Sequence, residues 1–192
     1  MRIIAGEFRG RKLLPPETDA TRPVTDRVKQ SLFDILTPLL PDAVVYDCFS
    51  GTGSMGLESL SRGARRALFF ENDRSAASRL RKNVALLEVA DRSRVIDRDL
   101  FRWFADDRNA VAERAEVIFL DPPYRFLKDR AEDLRTLAAN MVRHHLAPEG
   151  TVVFRHDAGD SLDFPGLGRA DVRTYGGMTV ELLRTTMTRE SA

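Results

Sequence analysis

Short apolar runs alternate with stretches of helical period along most of this chain, and that alternation leaves few folds open. Val44-Val45-Tyr46-Asp47-Cys48, Ala67-Leu68-Phe69-Phe70 with Glu71, residues 93–97, Val117-Ile118-Phe119-Leu120 and residues 151–155 read as strands. Helical stretches at 54–62, 75–87 and 129–145 lie between them, and one or two short helices fit within 100–114. Strands that are apolar on both faces must be covered on both, and strand–helix–strand units achieve this with a parallel sheet. Asp171 to Tyr175 and Thr179 to Arg184 flank Gly176-Gly177-Met178 and read as an antiparallel hairpin. The expected architecture is therefore α/β and Rossmann-like, a seven-stranded, mostly parallel sheet ending in a C-terminal hairpin. Upstream, Val28, Leu32, Ile35 and Leu36 recur at helical spacing and predict a helix from about Val24 to Leu36. Residues 1–23 form a short basic extension, expected as a β-hairpin punctuated by Gly6 and Gly10, and residues 24–192 form one domain.

In a sheet of this kind ligands gather outside the carboxyl ends of the strands, and the chemistry-bearing residues fall there. Gly51-Thr52-Gly53-Ser54-Met55-Gly56 follows the first strand and opens a helical stretch, the context that a glycine-rich cofactor loop requires. Glu71 closes the next apolar run, where an acid can take both hydroxyls of an adenosine ribose. A dinucleotide's pyrophosphate favours backbone N–H groups without a carboxylate beside them. Asp47 stands four residues before Gly51 and suits a cationic ligand such as S-adenosylmethionine better; as an alternative, it is an acid bonded to its own turn. Asp99 and Leu100 are candidates for an adenine ring, the carboxylate accepting from the amino group and Leu100 or Phe101 packing on the face, although Asp97 or Asp99 could equally cap the following helix.

Asp121-Pro122-Pro123-Tyr124 ends the fourth run and combines a carboxylate, a stiff turn and an aromatic face. Taken alone it is a tight turn after a buried strand. Together with the glycine loop it points to chemistry on a nucleobase nitrogen: Asp121 and the Pro122 carbonyl accept from an exocyclic amino group while Tyr124 stacks on the base.

Charge bears on the partner. Residues 1–34 carry Arg2, Arg9, Arg11, Lys12, Arg22, Arg27 and Lys29 against Glu7, Glu17, Asp19, Asp26 and Asp34, a surplus of two in a chain of net charge +1. Such an arm suits phosphate contacts, with Arg9, Arg11, Lys12, Arg22 and Arg27 as candidates, or is an ordinary solvated terminus. One cysteine excludes a disulfide framework, and Cys48 in its apolar strand reads as packing. His144, His145 and His156 have no Cys or His at metal-ligand spacing, so no metal site is expected. With no spanning run or signal segment either, a cytoplasmic, monomeric protein is expected.

Met1-Arg2-Ile3-Ile4-Ala5-Gly6 with Phe8-Arg9-Gly10-Arg11-Lys12-Leu13, and Thr21-Arg22-Pro23-Val24-Thr25-Asp26-Arg27-Val28-Lys29 with Ser31-Leu32-Phe33, resemble the RsmD family of bacterial 16S ribosomal RNA guanine-N2 methyltransferases. Asp47 to Gly53, Gly56-Leu57-Glu58, Ser61-Arg62-Gly63-Ala64 and Asp121 to Tyr124 extend the likeness over nearly the whole chain. The resemblance implies a class I methyltransferase fold, S-adenosylmethionine as cofactor, and a guanine of 16S rRNA, free or in an assembling small subunit, as acceptor. It places Gly51 and Gly53 under the cofactor, Glu71 at its ribose and Asp121 to Tyr124 at the target base. Residues 106–115 and 164–168 diverge from the family pattern. The residues alone leave rivals: a DNA or RNA adenine-N6 methyltransferase, a protein-amide methyltransferase, a nicotinamide oxidoreductase, and a non-catalytic RNA-binding module.

Overall fold

A computed structural model describes residues 1–17, 25–110 and 113–186. Its centre is a seven-stranded sheet built from β1 (Val44–Cys48), β2 (Arg66–Phe70), β3 (Ser93–Ile96), β4 (Ala115–Leu120), β5 (Leu146–Asp157), β6 (Leu167–Tyr175) and β7 (Met178–Thr185), in the order β3-β2-β1-β4-β5-β7-β6. The first five strands are parallel and β7 inserts antiparallel between β5 and β6. The order reverses between β1 and β4, so their carboxyl ends flank the crevice in which open α/β sheets hold ligands.

Alternation along the strands sends side chains to two apolar layers. Val45, Phe69, Val117 and Phe119 pack with α1 (Asp26–Leu36), α2 (Ser54–Ser61) and α3 (Arg74–Leu86). Val44, Tyr46, Cys48, Leu68 and Phe70 face the other way, against α4 (Leu100–Phe104) and the helix Ala131–Asn140. Helix α1 starts where Thr25 accepts from the Val28 N–H, and α3 where Asp73 accepts from Ala76, each satisfying an N–H that the first turn would leave orphaned.

The N-terminal extension is no loose tail. Ile3 and Leu13 are buried in the first layer, and bonds from Ile3 N–H to the Arg11 carbonyl and from Leu13 N–H to the Met1 carbonyl draw two short antiparallel segments together. The wide turn between them presses against α2. Gly6 has φ +83°, and a Cβ there would sit 1.8 Å from the Ser61 carbonyl oxygen, so only glycine allows this approach. The expected boundary at residue 23 lies outside the described residues.

Two expected elements differ in the structure. The helix over 129–145 is divided into α5 (Phe126–Asp129), α6 (Ala131–Asn140) and a wide π turn, Met141–His145. Between α5 and α6 the Arg130 backbone leaves the helical region, and its guanidinium lies 3.9 Å from the Phe101 ring centre. Strand β5 spans Leu146–Asp157 instead of residues 151–155. Its last residues are polar, but Arg155, His156 and Asp157 pair with Val180, Thr179 and Met178, so the ladder outlasts the apolar pattern.

Candidate active site

The ends of β1, β2 and β4 are set level by register: Cys48 lies beside both Phe70 and Leu120. The residues that follow those three positions therefore share one edge of the sheet.

After β1 the chain turns sharply upward through Phe49 (φ 61°), Gly51 (φ 54°) and Gly53 (φ 85°) before α2 begins. A Cβ at Gly53 would approach Leu80 Cδ1 to 2.4 Å, so the bend is packed from beneath. Above Gly51, by contrast, no atom stands within 4 Å of a Cβ position, which leaves open space over the backbone. Glu71 ties this bend to the end of β2. Its Oε2 accepts from the Gly51 N–H at 2.7 Å and its Oε1 from the Asp73 N–H at 2.8 Å. A carboxylate has about four acceptor positions, so both oxygens of this half-buried group keep capacity for a ligand's hydroxyls.

Asp47 sits beneath the bend. It is 2% exposed and its Oδ2 accepts from the Gly56 N–H at 2.9 Å. Burial pushes its carboxyl up to about 8, against the Gly56 hydrogen bond, and the neighbouring charges of Asp121 and Glu71 push the same way. The acid is thus bonded to its own turn.

The groups after β3 divide. Asp99 accepts from the Arg102 N–H at 3.0 Å and caps α4, while Leu100 is buried in the second apolar layer. Asp97 is exposed and paired with Arg81, which holds its carboxyl below the usual range. What projects beside the bend is Phe101, 6.0 Å from Phe49 and 6.3 Å from Phe126, ring centre to ring centre, with Arg130 over Phe101 and Phe126. Only Phe101 of this group was singled out from sequence; Phe49 and Phe126 carry no sequence signal beyond their places next to the two motifs.

After β4, the Pro123 and Tyr124 carbonyls accept from the N–H groups of Phe126 and Leu127, which winds α5 directly onto the motif. The Pro122 carbonyl takes no such bond among the described residues. Asp121 meets a partner that the sequence did not disclose: Arg155 of β5 donates from Nε to Oδ1 at 2.7 Å and from Nη2 to Oδ2. Tyr124 is half-buried beside this pair.

The arm's cations have unequal freedom. Arg9, Arg11, Lys12 and Arg27 are exposed and form no salt bridge among the described residues. Arg2 pairs with Asp26 at 2.8 Å, and Lys29 is 1% exposed in an ion pair with Glu58 at 2.9 Å, so it is unavailable to a phosphate. Arg22 lies outside the described residues. Among those residues no group of three or more His, Cys, Asp or Glu is placed to hold a metal ion, and no helix is long and apolar enough to cross a membrane.

The family model described as Conserved hypothetical protein 95 matches residues 1–184. The chain belongs to that family. It is 42% identical over 125 residues to Ribosomal RNA small subunit methyltransferase D of Escherichia coli (strain K12), a match covering 65% of this chain and 61% of that protein. With Putative rRNA methyltransferase YlbH of Bacillus subtilis (strain 168) identity is 35% over 160 residues, 82% of this chain and 83% of that protein. A solved structure described as a putative methyltransferase, yhhF, from Escherichia coli superposes with a TM-score of 0.83 at 29% identity, covering 98% of this chain and 99% of that one. The strand order and C-terminal hairpin are accordingly those of the Rossmann-like class I methyltransferase fold.

Proposed function

We propose that this chain transfers a methyl group from S-adenosylmethionine to the exocyclic N2 of a guanine in 16S ribosomal RNA, free or within an assembling small subunit, in the cytoplasm. The observation that carries the reading is the alignment of the Asp121-Pro122-Pro123-Tyr124 turn with the glycine bend, through the register of Cys48 with Leu120. The names of the relatives in Escherichia coli and Bacillus subtilis support the same class of substrate.

The donor site fits the cofactor on two counts: open space above Gly51 and a ribose acceptor in Glu71. Asp47, Gly51, Gly53, Glu71, Asp99 and Leu100 would hold it, the last two by position at the end of β3, with Phe101 supplying an apolar ring face. When bound, S-adenosylmethionine supplies an electrophilic methyl group on a sulfonium.

The acceptor nitrogen is a poor nucleophile because its lone pair is delocalised into the purine ring. Asp121 and the Pro122 carbonyl accept its two N–H groups, which favours a pyramidal nitrogen with an available lone pair. Pro122 and Pro123 limit how that carbonyl can turn. Tyr124 stacks on the extruded base. Arg9, Arg11, Lys12, Arg22 and Arg27 grip phosphates from the N-terminal side.

Incubation with isotopically labelled methyl donor and under-modified small-subunit RNA or particles, followed by nucleoside mass spectrometry, tests the reading. N2-methylguanosine formed by the wild type and absent with Asp121→Ala, which should still bind S-adenosylhomocysteine, is the expected result. Methyladenosine, or a fully active Asp121→Ala, refutes it.

A further inference from the structure

Arg155 contacts the Asp121 carboxylate, and neither motif accounts for it. It lies in register: Leu120 pairs with Phe154, so Asp121 and Arg155 are the next neighbours across β4 and β5, and their side chains point to the same face. The contact engages both carboxylate oxygens, through Nε and Nη2. A two-point contact between planar groups fixes carboxylate orientation in a way that a lysine's point charge cannot.

The fork is itself held. Its third nitrogen, Nη1, lies 3.5 Å from the Met178 sulfur, and the Arg155 backbone is paired with Val180 of β7. Only 13% of the Arg155 side chain and 21% of the Asp121 side chain are exposed. The arginine therefore belongs to the sheet and not to a mobile surface. Without it, Asp121 would stand at a strand end without its ion-pair partner, free to take another rotamer.

We infer that Arg155 is a positioning residue for the proposed methyl transfer, holding the Asp121 carboxylate in one rotamer so that its remaining acceptor positions meet the amino group of the target base. Each carboxylate oxygen offers two acceptor positions, and the fork takes one on each. The side of the carboxylate turned away from Arg155 stays available. A base is held by that side and by the Pro122 carbonyl together, and a rotation of Asp121 would move one acceptor out of line with the other. Misplacement of this kind by about 1 Å costs roughly a hundred-fold in rate. The inference rests on the proposed function and goes beyond it, since neither the glycine bend nor the Asp-Pro-Pro-Tyr turn includes this residue.

The test compares Arg155→Met, Arg155→Lys, Asp121→Ala and the double variant Asp121→Ala/Arg155→Met in methyl transfer to under-modified small-subunit RNA, with S-adenosylhomocysteine affinity and thermal unfolding measured on each. Arg155→Met should lower kcat by about ten- to a hundred-fold while the KM for RNA and the affinity for S-adenosylhomocysteine stay within about two-fold. Arg155→Lys should recover part of kcat, and the double variant should be no slower than Asp121→Ala alone. An unchanged kcat in Arg155→Met overturns the inference. A raised kcat also overturns it, because the guanidinium would then be a cap that the base displaces. A loss confined to the KM for RNA would make Arg155 a phosphate contact instead, and a kcat loss matched by weaker S-adenosylhomocysteine binding and a lowered unfolding temperature would reduce the pair to structural support. If the wild type methylates no RNA, the proposed function fails and this inference with it; if the wild type is active, only the Arg155 variants decide.

Discussion

Glu58 offers a severe test of how the N-terminal arm is held. The residue is fully buried on α2, and four donors converge on its carboxylate: the Lys29 ammonium at 2.9 Å, Arg62 Nε at 2.9 Å, and the backbone N–H groups of Ile4 and Ala5 at 2.8 and 3.0 Å. Replacing Glu58 with alanine leaves Lys29, 1% exposed, without its counter-charge. Breaking a buried pair from one side costs about 3–5 kcal/mol. The two arm amides are only part-buried, can be rewetted, and add less. We expect a loss of about 4 kcal/mol; with a urea slope of roughly 2 kcal/mol per molar, the unfolding midpoint should fall by about 2 M. Burial already holds the Lys29 ammonium below its usual range, with Glu58 opposing that effect. Without Glu58 the lysine can shed its proton more readily, and a base whose folded value is depressed binds fewer protons folded than unfolded. The deficit should therefore shrink as pH rises toward 10. Urea titrations at pH 7 and pH 9.5, with amide exchange read at Ile4 and Ala5, check both parts. A loss below about 1 kcal/mol, or one that does not change with pH, would refute the argument.

The remaining predictions address separate sites. His145, 1% exposed among Tyr46, Trp103 and Phe104, is held down to about 4 by burial, with His144 and Arg114 adding to the effect. Its neutral form contributes stability that is complete above 6.5 and lost as pH falls through about 4, up to about 3 kcal/mol; His145→Leu should flatten that window in thermal unfolding against pH. Glu71→Ala should weaken S-adenosylhomocysteine binding by about ten-fold, as loss of hydrogen bonds to a charged acceptor does, and an unchanged calorimetric dissociation constant would remove Glu71 from the ribose. Neutralising Arg9, Arg11 and Lys12 together should lower RNA affinity and reduce the slope of log affinity on log salt by about two to three; a slope that stays the same would make them ordinary surface charges.

The sheet was readable because its strands are apolar on both faces, so their lengths and spacing survive in the one-dimensional pattern. The hairpin was readable from Gly176-Gly177, which mark the reversal whatever packs around them. Pattern failed where polar residues continue a regular element. His156 and Asp157 extend β5 because their backbones pair with β7, information that sits some 20 residues downstream in the pairing with Thr179 and Met178. Lys29 shows the opposite failure. Its charge counted toward a basic arm, but helical spacing places it on the buried face with Leu32, Phe33 and Leu36, and only the distant Glu58 makes that burial tolerable. In both cases what decides the residue's role is a partner far away in sequence.

The arm and the glycine bend share their anchors, which bears on how substrate and cofactor sides act together. Lys29 Nζ donates to the Arg2 carbonyl at 3.3 Å and to Ser54 Oγ, the first residue of α2, at 3.1 Å. Asn83, fully buried on α3, donates to the carbonyls of Thr52 and Leu14 at 3.0 and 3.2 Å and accepts from the Leu14 N–H at 2.8 Å. Two buried side chains thus grip the residues on either side of Gly53 and both ends of the segment 1–14. A bend with Phe49 at φ 61° persists only where its surroundings over-determine it, and here part of that determination comes from the segment that carries Arg9, Arg11 and Lys12. Anything that pulls on the arm pulls on the bend through the same hydrogen bonds. The arm and the glycine bend are consequently tied together by the same side chains, and in the proposed reaction RNA would meet an arm already ordered by the fold.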